Sequence, residues 1–150
     1  MYTRIAAAAS AAALVLLSLG GCGASKATTD VVATGVVAVH AGMNYPNVHT
    51  PDGRGMLNHA PGAACVGAGA YADARPGGGV VTIYGANGDI VGTGHLVIGK
   101  MVTQGSAEYC VMPFQAALNS ESDAYQAEYG DSGRITVEPS GLGEIVLNVG

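Results

Sequence analysis

Three cysteines and four histidines are the side chains of this 150-residue chain with the most chemistry open to them. His40, His49 and His59 stand nine and ten residues apart, with Asp52 between them. That spacing matches no local zinc pattern, in which ligands come in close pairs. A folded loop that gathered the three could still hold an open metal site and activate water. A small metal-dependent hydrolase is therefore one reading of the chain. The spacing favours the other, three solvent-exposed loop imidazoles, so no metal and no cofactor is expected. His95, between Gly94 and Leu96, shares a strand face with Thr93 and Val97 and reads as a half-buried strand residue. Glu121, Asp123, Glu128 and Asp131 are close in sequence but lack the ligand alternation and glycine turn of a calcium loop. They read as a solvated acidic rim.

Gly130-Asp131-Ser132-Gly133 resembles the nucleophile segment of chymotrypsin-like serine proteases, where a serine works with a histidine base and backbone oxyanion donors. Only 17 residues follow Gly133, too few for the strands that build that family's substrate pocket. Asp-Ser-Gly between two strand-like runs is ordinary turn chemistry. Gly77-Gly78-Gly79 lacks the Lys-Ser/Thr of a phosphate loop. No residue is assigned a catalytic role.

The third cysteine is different. Arg4 opens a short basic segment, and Ile5 to Leu19 follow as fifteen residues, apolar except for Ser10 and Ser18. Leu19-Gly20-Gly21-Cys22 closes it. This resembles a bacterial lipoprotein signal peptide with its lipobox. The resemblance implies cleavage before Cys22, a diacylglycerol thioether on its sulfur, and a cell-membrane location facing away from the cytoplasm. The apolar run is shorter than the ~20 residues a membrane-spanning helix needs, which fits a cleaved signal. Each buried acyl methylene contributes ~0.8 kcal/mol, so two or three chains hold the protein to the membrane. Residues 1–21 are then signal peptide and 22–29 a lipidated cysteine with a short tether. Residues 30–150 form the domain.

That location permits disulfides, and two cysteines remain. Cys65 and Cys110 allow one intrachain pairing. It closes a loop of about 46 residues and is worth ~4 kcal/mol on the chain-entropy account.

Without residues 1–21 the chain has 129 residues and a net charge of about −6, enough length for one domain with a core. There is no basic run, which argues against nucleic acid as a partner. Trp is absent and Phe114 is the sole Phe, leaving little material for a sugar-stacking platform.

Short strands separated by turn signals must position these residues. Asp30–Val39 is β-branched. Ala41–Ala64 carries seven Pro or Gly and no periodicity, and reads as a long loop. From Cys65 the expected strands are Gly67–Asp73 (weak), Val80–Tyr84, Ile90–Ile98, Glu108–Leu118, Tyr125–Tyr129, Arg134–Glu138 and Glu144–Val149. Gly99–Ala107 is expected to turn, and Ala86-Asn87-Gly88-Asp89 is a hairpin turn. Cys110, Met112 and Phe114 share one face, as do Ile145, Leu147 and Val149. No segment shows a sustained helical period. The expected fold is all-β, a single antiparallel β-sandwich or small barrel of about 7–8 strands.

The string Cys65-x-Gly67-x-Gly69-x-Tyr71-x-Asp73, then Gly79-x-Val81-Thr82-Ile83, Gly92-x-Gly94-x-Leu96 and Cys110-x-x-x-Phe114, is similar to an uncharacterised two-cysteine β-rich domain of actinobacterial secreted and membrane-anchored proteins. It covers roughly residues 30–150. Ala74 and Arg75-Pro76 depart from its usual Ile-x-x-Gly approach to the strand. The resemblance implies fold, compartment and a cysteine pair, but no activity.

The functional expectation is a lipid-anchored, non-catalytic binding or interaction module of the envelope. Its partners are the membrane, through Cys22, and an envelope protein. The Ala41–Ala64 loop is the expected contact surface, since loops on a rigid sheet carry recognition. The alternatives are the histidine-loop hydrolase and a structural or exclusion protein acting on another envelope component.

Overall fold

β-branched and apolar residues at alternate positions put one face of nearly every strand into a common interior. The structure, a computed structural model, describes residues 31–53 and 60–150. Ten strands run in chain order: β1 (Val32–His40), β2 (Val48–His49), β3 (Ala64–Gly67), β4 (Val80–Gly85), β5 (Ile90–Leu96), β6 (Gly99–Gln104), β7 (Ala107–Leu118), β8 (Tyr125–Tyr129), β9 (Ile135–Val137) and β10 (Ile145–Val149). Two 3-10 turns, Gly69–Tyr71 and Pro139–Gly141, are the helical elements among the described residues.

All ten strands belong to one sheet. Eight follow the path β2-β3-β6-β7-β5-β4-β8-β9, while β1 pairs with β7 and carries β10 on its other edge. The sheet curls into a half-barrel, and β10 comes back into the neighbourhood of β8. The fold is all-β, as the alternation implies, and of the two architectures expected it is the barrel-like one. One pairing departs from the antiparallel expectation: β1 and β10 run parallel, Gly35 beside Ile145 and Val39 beside Val149. Parallel neighbours cannot be joined by a tight hairpin, and these two come from opposite ends of the domain. No local signal in either strand encodes the choice.

β7 is the hub. Along one edge it pairs with β1 over nine residues. Its other edge is shared, residues 107–111 against β6 and 114–118 against β5. Pro113 lies at the changeover. Its carbonyl accepts the Val97 amide at 2.9 Å, so its nitrogen, which carries no proton, faces the same gap. A proline that would break a central ladder is tolerated there. On β5, Gly92 and Gly94 leave room for β7 side chains. A Cβ at Gly92 would stand 2.6 Å from Leu118 Cδ2, and one at Gly94 would stand 3.0 Å from Phe114 Cδ2.

The interior is built from Val37, Val39, Val81, Ile83, Leu96, Met101, Met112, Phe114 and Leu147, all 4% exposed or less. Cys65 and Cys110 are fully buried and joined by a disulfide, with Cα atoms 5.9 Å apart. β3 and β7 flank β6, so on a flat sheet they would stand roughly 9–10 Å apart. The short span records how sharply the sheet curls at that corner.

Three expectations change locally. Gly67–Asp73 is the end of β3 followed by a 3-10 turn, because Gly67 pairs with Val48 and its amide then turns to the Ala74 carbonyl. Gly99–Gln104, expected as a turn, is β6, with Met101 facing the core. His95 is exposed rather than half-buried, because inward positions 92, 94 and 96 of β5 put 93, 95 and 97 outside. Cys22, with residues 1–30 around it, and His59 lie outside the described residues.

Candidate functional site

The segment after β1 is tied down rather than loose. The Ala41 amide donates to the Glu108 carbonyl at 2.9 Å. Asn47 donates through Nδ2 to the His40 carbonyl at 3.0 Å, and its own carbonyl accepts the Ala68 amide at 2.7 Å. Ala41 and Val48 are buried against the core. Between these anchors the chain makes a tight excursion over residues 42–45. Asn44 and Tyr45 both adopt left-handed backbone, with φ of 63° and 56°. For a bulky residue such as tyrosine this conformation is costly, and its persistence means that surrounding contacts hold it. Met43, at the tip, is 92% exposed.

This excursion walls a cleft of about 240 Å³ together with His40, Ser106, Ala107 and Glu108. The Tyr45 hydroxyl hydrogen-bonds to the Glu108 carboxylate, and this bond, burial and the carboxylate's charge, in that order, raise the tyrosine pKa. The second oxygen, Glu108 Oε2, is buried with no hydrogen-bond partner among the described residues. His40 closes the strand end with its ring 5.3 Å from that of Tyr109, tilted at 54°. His40, expected as a solvent-exposed loop imidazole, is instead the half-buried last residue of β1, because its ring packs on its cross-strand neighbour Tyr109.

The same loop walls a second cleft further along, of about 550 Å³, whose lining includes His49, Asp52, Arg75 and Ile98. His40 and His49 therefore sit on different clefts. Among the described residues no three His, Cys, Asp or Glu side chains converge as a metal-ligand group.

A third cleft, of about 480 Å³, lies at the far ends of β8 and β10 and includes Tyr71, Asp73, Tyr129, Asp131 and Ser132. Ser132 is a turn residue there. Its Oγ accepts the Tyr129 amide at 3.4 Å, and its own amide donates to the Tyr129 carbonyl at 3.1 Å. Among the described residues no histidine lines this cleft. The Tyr129 hydroxyl is buried and unpartnered among the described residues. Burial first, and the charge of Asp73 second, push its pKa above the usual value of 10.0.

That shift has a consequence for stability. A tyrosine kept neutral in the fold contributes stability that is complete below pH ~10 and is lost as pH rises through its higher folded value. Urea denaturation midpoints are expected to hold steady to about pH 9 and fall above pH ~10. Tyr129→Phe should lessen that fall and cost little at pH 7, since the hydroxyl it removes makes no hydrogen bond among the described residues. An equally steep alkaline fall in the variant would assign the loss to other groups.

The acidic group is also not a uniform solvated rim. Glu128 accepts from the Tyr84 hydroxyl at 2.9 Å and from Arg134 Nε at 3.3 Å. The Arg134 guanidinium stacks 3.6 Å from the centre of the Tyr84 ring. These three residues come from β4, β8 and the approach to β9, and alternation along the strands was the only available hint that Tyr84 and Glu128 share a face.

Sequence reasoning picked out the loop but missed Glu108, which it read as the first residue of a strand. Nothing local signals that Glu108 meets Tyr45, 63 residues earlier. Comparison with known proteins finds no matching family model, no matching curated protein and no matching solved structure.

Proposed function

We propose that this chain is a lipid-anchored envelope protein whose β-domain is a non-catalytic binding module, with the Ala41–Ala64 loop as its contact surface. The course of β1 carries this reading. The strand starts at Val32, next to the tether, and ends at His40, where the loop begins. Nine strand residues span about 30 Å. A domain held to a bilayer through residues 22–29 would therefore turn the exposed Ile90, at the same end of the sheet as the start of β1, toward the lipid. The Gly42–Tyr45 excursion would point away from it. Two clefts, an exposed Met43 and backbone held in a costly conformation all gather on the loop. Such features belong to recognition surfaces mounted on rigid sheets.

Two outcomes are expected. Cys22→Ala should move the protein from the membrane fraction to the soluble extracytoplasmic fraction; retention in the membrane would remove the lipid anchor from the account. A photoreactive side chain at position 43 should crosslink to a discrete protein in intact cells, and one at position 90 to lipid. The reverse pattern would invert the orientation and reject the loop as the contact surface.

A further inference from the structure

The cleft beside Met43 has an incomplete hydrogen-bond inventory, and what is missing defines what fits. An ionised carboxylate accepts on both oxygens. In Glu108 the Tyr45 hydroxyl accounts for one, and Oε2, buried, has no donor among the described residues. Buried acceptors are nearly always satisfied, and an exception calls for a cause. Among the described residues no lysine or arginine lines the cleft.

We propose that this cleft is a receptor for a lysine side chain of a protein partner, whose ammonium donates to Glu108 Oε2. The proposal rests on the reading of the loop as a contact surface, and it names the chemistry that surface takes. Lysine fits better than arginine for a geometric reason. A guanidinium recognises a carboxylate through two parallel bonds to both oxygens, and here Tyr45 holds one of them. An ammonium is a compact donor that needs only the other, and it sits on a flexible apolar stem. Ala41, Ala107 and Met43 supply an apolar wall for that stem, and methionine adapts readily to what it covers. The 42–45 excursion and Glu108 line the same cleft. The excursion's two left-handed residues, Asn44 and Tyr45, hold this wall in a defined shape beside Glu108.

The test uses the full-length chain in detergent micelles with 13C-labelled methionine methyls and 15N-labelled amides. The probes are Nα-acetyl-lysine N-methylamide, its norleucine counterpart, which keeps the stem without the ammonium, and its arginine counterpart. The lysine probe should shift the Met43 methyl and the Ser106–Glu108 amides saturably, and norleucine should bind at least tenfold more weakly. Glu108→Gln should weaken the lysine probe at least tenfold. Equal binding of norleucine, no saturable shift, or an unchanged response in E108Q would each overturn the proposal.

Should E108Q fail to fold, Tyr45→Phe serves instead. It frees the second oxygen, so the arginine probe should gain at least fivefold relative to lysine, and an unchanged ratio would overturn the geometry. A peptide that contains one lysine should bind more tightly than the blocked amino acid; equal binding would overturn the protein partner and leave a small amine as the ligand. Photocrosslinking from position 43 reads the contact surface without any amine probe, so failure of the cleft and failure of the surface are told apart.

Discussion

Replacing Cys65 and Cys110 together with alanine is expected to lower the stability of the domain by about 4 kcal/mol, the largest loss from any change to one covalent feature. The two residues are 45 apart in sequence, and without the bridge the unfolded chain recovers the freedom of that whole loop. The native side compounds the effect. The bridge ties β3, a four-residue strand, to the hub strand β7 across β6. Gly99 makes the crossing possible, since a Cβ there would lie 2.8 Å from Cys110 Sγ and 2.6 Å from Met112 Cγ. Without the staple, β3 keeps two residue pairings with β6 and two with β2. Stability lost this way is a large share of the 5–15 kcal/mol typical of a domain. Urea denaturation of the variant, and of the natural protein under reductant, should show the same fall in midpoint. An unchanged midpoint would mean that the sheet curl holds β3 without help.

Gly35→Ala is the second large effect, expected to cost about 3 kcal/mol, the upper end of the usual overpacking penalty. Gly35 is where β1 touches both neighbours, opposite Ile145 on β10 and Phe114 on β7. A Cβ there would collide with the Ile145 carbonyl oxygen and come within 2.8 Å of both Ile145 Cβ and Phe114 Cε1. A carbonyl in a strand pair cannot rotate away, so the parallel ladder itself must open. Gly143→Ala is the matched control. It meets nothing within 4 Å, and a surface change of that kind stays within about 0.5 kcal/mol. Thermal or urea melts of the two variants should separate clearly. Similar melts would show that β10 docks loosely.

Both predictions concern residues whose type is plain in the sequence and whose reason is not. Alternation along Cys110-Met112-Phe114 and Ile145-Leu147-Val149 placed these side chains inward, and the structure buries all six. The turn at Ala86–Asp89 needed nothing beyond local chemistry either. Gly88 takes φ of 84°, and its amide closes on the Gly85 carbonyl at 2.9 Å. Strand alternation and turn geometry are set by neighbours in the chain, so an all-β fold and most of its strands were legible.

The candidate site was legible only as a region. Loop composition marked 41–64, but His40 and His49 went to separate clefts and Glu108 came to the loop from β7. Sequence alone determined most strand faces, the Ala86–Asp89 turn and the two cysteines available to pair. Tertiary structure decided that β10 lies parallel to β1, that β6 forms where a turn was expected, and that Tyr45 meets Glu108. Each of those depends on contacts between residues far apart in the chain, whose free energy comes from burial and closure of the whole sheet rather than from any local pattern.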